Sequence, residues 1–179
     1  MINIRVFLIT ILIWCSATIS FAAPYAAIVI DTDTGKVLHS ENANTRLHPA
    51  SLTKLATLYA AFEAIETREV YLDAKARISL KAASEELTAL GMREGQRVSI
   101  RDLIRATAIK GANDTSTALA EAISGSEQAF TKRLDETANK LGLSRSTFKN
   151  AHGLTEKGHL STAGDMAFVM KAIADDFST

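Results

Sequence analysis

The sequence predicts an α+β domain, a cluster of helices flanked by strands at its N-terminal end. Three observations carry that prediction. Two short β-branched runs, Tyr25 to Asp31 and Lys36 to Ser40, are joined by a loop ending at Gly35, the pattern of a β-hairpin. Beyond Pro49, apolar residues recur at intervals of three and four, the period of a helix face. Further helix starts and stops follow with no internal repeat or linker between them, so helices gather after strands rather than alternating with them.

The elements follow in order. Thr32-Asp33-Thr34-Gly35 is the turn of the hairpin. Leu52, Leu55, Leu58, Tyr59, Phe62 and Ile65 form one helical face, and alanines at 56, 60, 61 and 64 widen it, so this helix is expected to be buried on most sides. Arg77 to Leu80 suggests a short strand. Ser99-x-x-Asp102 is a capping pattern opening a helix through Leu103, Ile104 and Ala108, which Lys110-Gly111-Ala112-Asn113 interrupts. A helix over 114–123 ends at Ser124-Gly125, and another over 127–141 stops at Gly142. Asn150 to Gly153 reads as a turn, and Thr162-x-x-Asp165 starts a last helix reaching about Ala174. One hairpin and one short strand are too little to cover this helical layer, so the sheet is expected to be incomplete in this chain.

Residues 1–22 read as a signal peptide preceding a domain over 23–179. Arg5 supplies a basic start, Val6 to Ala17 an apolar run, and Ser20-Phe21-Ala22 small residues at the cleavage positions. The rival is a retained anchor helix, but the run is barely long enough to span a bilayer, and Thr10, Ser16, Thr18 and Ser20 dilute it. Export to the periplasm or the outer face of the cytoplasmic membrane is therefore expected. Cys15 is the only cysteine and lies in this segment, so the processed chain would have no disulfide and no thiolate metal site.

Composition excludes other classes. With Lys+Arg 20 against Asp+Glu 20 the net charge is zero, without the basic excess of a nucleic-acid binder. Aromatics at 6% leave few stacking platforms for single strands. His39, His48, His152 and His159 show no H-E-x-x-H spacing, so a zinc hydrolase is not indicated.

Ser51-Leu52-Thr53-Lys54 fits S-x-x-K. At a helix start, residues three apart share a face, so hydroxyl and amine can meet. The serine needs a base, and a lysine serves only if burial or a second cation lowers its ordinary pKa of ~10.4. The exposed N–H groups of the helix start would stabilise developing negative charge. Alone, Ser51 reads more readily as an N-cap and Lys54 as a solvated charge. A second copy, Ser146 to Lys149, lies between Gly142 and Gly153 without helical periodicity, and Ser40-Glu41-Asn42 is an S-x-N triplet at the end of the hairpin. Asn113 sits at a break between helices, where a carboxamide can face a cleft, although capping by Asn113 or Asp114 explains it as well. His152, beside Gly153, reads as a structural turn histidine, Asp165 as a cap, and Lys110 as an exposed charge near the break.

Taken together the residues resemble a family. Ile28-Val-Ile-Asp31, Thr34-Gly-Lys-Val-Leu38, Arg46, Pro49-Ala-Ser-Leu-Thr-Lys54, Met92, Gly95, Asp102-Leu103, Ala112-Asn-Asp114, Ala118-Leu-Ala-Glu121, Phe148-x-Asn150, His152-Gly-Leu154, Ser161-Thr-Ala163 and Asp165-Met-Ala167 occur in order. The chain resembles the serine-type D-alanyl-D-alanine carboxypeptidases, the low-molecular-mass penicillin-binding proteins, over nearly all of 25–172. The resemblance implies a β-lactamase-like helical cluster packed on an antiparallel sheet. It implies Ser51 as nucleophile toward a peptidoglycan stem peptide, Lys54 as its base, and Asn113 and Gly111 as substrate-binding positions. It implies β-lactams as covalent inhibitors and no metal or cofactor.

Two departures qualify it. The family's S-x-N serine, which passes a proton toward the leaving amine, aligns with Gly111. The family's K-[ST]-G strand is absent and is expected beyond Thr179, together with any amphipathic membrane-associating segment. An E-x-x-L-N element of class A β-lactamases is absent too. The alternatives are a D,D-endopeptidase, a β-lactamase, or an inactive penicillin-binding-like fragment or wall-binding protein without turnover.

Overall fold

In the computed structural model, which describes residues 24–177, the expected α+β architecture is present. Strands β1 (Ala27–Ile30) and β2 (Val37–Glu41) form the antiparallel hairpin, with Ile28 opposite Ser40. The Asp31 carboxylate accepts from the Thr34 N–H and hydroxyl, and Gly35 turns the chain at φ 69°. A single 3₁₀ turn (Ala50–Leu52) leads into α1 (Thr53–Glu66). Next come β3 (Lys75–Arg77), α2 (Leu80–Ala83), β4 (Arg97–Ser99) and α3 (Ile100–Arg105). A π-turn (Ala106–Lys110), α4 (Asn113–Ser124), α5 (Glu127–Lys140) and α6 (Ala163–Asp176) complete the order.

Helix α1 is the axis of the domain, touching α4, α5 and α6. Its alanines at 60, 61 and 64 are fully buried, and with no side chain beyond Cβ they let neighbouring helices approach on two sides. On one side Ala56, Tyr59 and Ala60 pack with Phe130, Leu134, Phe148, Met166 and Val169. On the other, Leu58 and Ala61 pack with Ile78, Ile100, Leu103 and Leu119. Burial on most sides, expected from the alanines, is what the helix shows.

The helix ends obey local chemistry. Ser99, Ser126 and Thr162 each accept the N–H three residues on, while Gly125 and Gly142 leave their helices in the left-handed region. Three local expectations need correction. The strand expected over 77–80 lies at 75–77, because Ser79 caps the short helix α2 instead. Its partner β4 was not expected, since Ser99 is both the last strand residue and the cap of α3. Asp165 is not the cap of α6: Thr162 is, and the Asp165 carboxylate accepts from the Arg145 N–H and the Ser146 hydroxyl.

Among the described residues the strands form two separate two-stranded sheets. Hairpin strand β2 is exposed throughout, with Val37 and Leu38 more than half accessible. The expected signal peptide, 1–22, lies outside the described residues. No described helix is long and apolar enough to cross a membrane.

Candidate active site

The site is built where α1 begins. Ala50 takes φ 48°, unusual for a residue with a Cβ, and swings the chain so that Ser51 is exposed on the 3₁₀ turn. One turn on, Lys54 is buried, with 4% of its surface accessible. Both line a groove of about 480 Å³ with Pro49, Leu52, Ile109 and Gly111. The S-x-x-K spacing thus brings hydroxyl-bearing and amine-bearing residues to one groove, and neither plays the part first suggested by residue type. No side chain caps the 3₁₀ turn, and Lys54 is not solvated.

The Lys54 ammonium donates to Asn113 Oδ1 and to the His152 carbonyl, each at 2.8 Å. Burial pushes its pKa down from 10.5 to about 8. At neutral pH about a tenth of such amines are unprotonated, against less than a thousandth for an ordinary lysine.

Asn113 reaches Lys54 because the helix before it is deformed. α3 widens into the π-turn, Gly111 ends that turn at φ 68°, and α4 starts afresh at Asn113. The Asn113 amide nitrogen donates to the Glu86 carbonyl and its backbone N–H to the Thr88 carbonyl. Neither Asn113 nor Asp114 is the cap; Ala112 holds that position. Asp114 instead gathers the N–H groups of Leu90, Gly91, Met92 and Thr115 onto one carboxylate. The loop over 84–92 is thereby wrapped around the start of α4. Lys110 is exposed, and it lines the groove.

Two supports of the site were not foreseen from the sequence. One is the His152 backbone carbonyl; histidine draws attention for its ring, yet the ring is turned away, its Nδ1 accepting from the Leu154 N–H. The other is Glu127, whose Oε1 accepts the Ala151 N–H. Glu85, Glu127 and His152 present ligand-type atoms within 4.8 Å of one another. Since Nδ1 accepts, the His152 proton sits on Nε2 and faces the two carboxylates. Lys81 pairs with Glu127. These groups compensate one another internally, and an occupied Nε2 is not a metal ligand. Burial holds the His152 pKa down at about 4 and raises that of Glu85.

The other motifs fall elsewhere. The Ser146 hydroxyl bonds to Ser161 and Asp165, so the second S-x-x-K copy does not converge on a site. Asn42, at the end of the hairpin, donates to the Tyr25 carbonyl.

A helical cluster with a serine at the head of its central helix, and a buried lysine one turn on, defines the class of penicillin-recognising serine proteins. The chain belongs to the peptidase S11 family of D-alanyl-D-alanine carboxypeptidases, whose family model matches residues 16–179. It is 41% identical over 148 residues to the D-alanyl-D-alanine carboxypeptidase DacF of Bacillus subtilis, covering 83% of this chain and 38% of that protein. The crystal structure of the carboxypeptidase DacD from Francisella tularensis superposes with a TM-score of 0.84 at 34% identity, over 90% of this chain and 39% of that one. The cefotaxime-bound penicillin-binding protein D2 of Listeria monocytogenes gives 0.70 at 28% identity, over 88% and 66%. The chain therefore spans well under half the length of the curated relative it matches.

Proposed function

We propose that this chain carries the nucleophile-bearing part of an exported serine D-Ala-D-Ala carboxypeptidase acting on peptidoglycan stem peptides. The observation that carries the reading is Lys54: buried, shifted by burial toward its neutral form, and fixed by Asn113 and the His152 carbonyl in the groove that Ser51 lines. Two of its three ammonium protons are engaged by these acceptors, and in this reading the third is the one exchanged with the Ser51 hydroxyl.

In this reading Lys54, as the free amine, takes the Ser51 proton as Oγ attacks the carbonyl carbon of the penultimate D-Ala. The N–H of Ser51 at the helix start supports the oxyanion. The peptide C–N bond breaks, the terminal D-Ala leaves as the amine with a proton returned through Lys54, and water hydrolyses the Ser51 ester. Asn113 anchors Lys54 and orients the substrate amide beside Gly111. β-Lactams, bound by the Listeria relative, would acylate the same serine. The proposed location is the periplasm or the outer face of the cytoplasmic membrane.

One observation favours a second reading, a penicillin-binding protein without turnover. Gly111 carries no hydroxyl where the family has a serine, so proton delivery to the leaving amine lacks that group. Labelled penicillin on the chain and on Ser51→Ala tests the nucleophile: equal labelling of both removes Ser51. Release of D-Ala from a stem-peptide analogue separates the two readings, since a protein without turnover labels but releases none.

A further inference from the structure

The turn over 150–153 serves both members of the Ser51–Lys54 pair. Its His152 carbonyl takes a Lys54 N–H, and its Ala151 carbonyl takes the Thr57 hydroxyl at 2.7 Å, so it is laced along the first turns of α1. Gly153 meets the other side. A Cβ there would stand 1.8 Å from the Ala50 carbonyl oxygen, so the turn abuts the backbone immediately before Ser51. The turn is closed by Asn150, whose Oδ1 accepts the Gly153 N–H at 2.7 Å.

What holds this turn against the domain comes from a different helix. Glu127, the first residue of α5, is 5% exposed and accepts the Ala151 N–H at 2.9 Å. Its other oxygen pairs with Lys81 of α2, and the His152 Nε2 lies 3.6 Å from Glu127 and 3.4 Å from Glu85. Glu85 is in turn held by the Thr117 hydroxyl on α4. Helices α2 and α5 thus meet at one carboxylate while α4 holds its neighbour Glu85, and the Glu127 carboxylate is bonded to the N–H of the residue before the one whose carbonyl grips Lys54.

We infer that Glu127 is a positioning residue: by holding the Ala151 N–H it sets the 150–153 turn and, through the His152 carbonyl, the place of the Lys54 amine in the groove that Ser51 lines. The inference rests on the reading of Lys54 as the base. The physical consequence follows from burial. The turn walls Lys54 off from water, and exclusion of water is what lowers its pKa. A turn freed from Glu127 admits water and returns the amine toward the ordinary lysine value. The charged and titratable groups around Lys54 are His152 on the turn, Glu85 and Glu127 behind it, Lys81 paired with Glu127, and Lys110 along the groove. Glutamine at 127 keeps an oxygen for the Ala151 N–H and removes the charge, which separates the hydrogen bond from the electrostatics.

The test is the titration of Lys54, followed by carbon NMR at its Cε in the full chain, for wild type, Glu127→Gln and Glu127→Ala. The wild-type midpoint is expected at about 8. In Glu127→Ala it moves up by about one pH unit or more, which lowers the neutral fraction at pH 7 about tenfold per unit. In Glu127→Gln it stays within a few tenths. A midpoint unmoved in Glu127→Ala while the melting temperature falls would show a merely structural role and overturn the inference. A Glu127→Gln midpoint that shifts as far as that of Glu127→Ala overturns it as well. Should Glu127→Ala fail to fold, Glu127→Asp keeps the charge near Lys81 but withdraws the acceptor by about one C–C bond; an unmoved midpoint there overturns the inference equally. Titration needs no acylation. A wild type without Ser51-dependent penicillin labelling therefore sinks the functional reading alone, whereas intact labelling with unmoved midpoints sinks this one alone.

Discussion

Replacing Gly153 by alanine should disturb Ser51, the proposed nucleophile, from a position 102 residues away in sequence, and the size of the effect can be worked out. The added Cβ stands 1.8 Å from the Ala50 carbonyl oxygen, 2.5 Å from its carbon and 2.8 Å from Thr53 Oγ1. Two of those atoms are backbone and cannot rotate aside. Gly153 also has φ 92°, where a side chain costs roughly 1–2 kcal/mol. Forcing the chains apart adds about 1–3 kcal/mol, the usual cost of overpacking. Gly142→Ala is the control: its φ is 72° and its Cβ would meet nothing within 4 Å, so only the conformational cost of roughly 1–2 kcal/mol applies. Urea denaturation with linear extrapolation reads the difference between the two variants. We expect Gly153→Ala to be the less stable by about 1–3 kcal/mol. Its penicillin-labelling rate should fall as well, because the displaced carbonyl belongs to the residue before Ser51. Equal stability losses in the two variants would refute the claim that the turn and the Ser51 segment are in rigid contact.

Three further outcomes follow from the geometry. Lys54 has a folded-state pKa of about 8, below its unfolded value of 10.5, so the unfolded chain binds more protons between those limits and stability should rise with pH from 8 to 10.5. Denaturation midpoints across that window check it, Lys54→Met should lack that limb, and the acylation rate of wild type should climb with pH and level off above about 8. Asp114→Asn leaves one acceptor oxygen and an amino group facing N–H donors of Leu90, Gly91, Met92 and Thr115. It should cost about 2–3 kcal/mol in urea denaturation, and a loss under about 0.5 kcal/mol would refute the role given to that carboxylate. Gly111→Ser places a Cβ where nothing lies within 4 Å, at a φ of 68°. It should cost roughly 1–2 kcal/mol of stability and, if the proposed function holds, speed D-Ala release, and an unchanged release rate would show that the missing hydroxyl is not what limits turnover.

Much of this protein is legible in its sequence. Helix α1 announces itself because apolar residues three and four apart can only share a face, and the alanines among them foretell burial on two sides. Gly35, Gly125 and Gly142 mark chain reversals because each takes a left-handed conformation that other residues avoid. Ser51 and Lys54 are legible as a pair because a helix start sets residues three apart side by side. Strands β3 and β4 are not, since three residues each are too few to display an alternating pattern, and Ser99 carries two structural duties at once. The surroundings of Lys54 belong wholly to the tertiary structure. Its second acceptor is a backbone carbonyl 98 residues on, a group every residue possesses and no residue type advertises. Glu127 looks like an ordinary first-turn acid of a helix until its carboxylate is seen on the Ala151 N–H. Local periodicity and backbone sterics act between near neighbours and leave their mark in the sequence. The proton affinity of a buried amine depends on which groups exclude water from it, and that is decided only when distant segments meet.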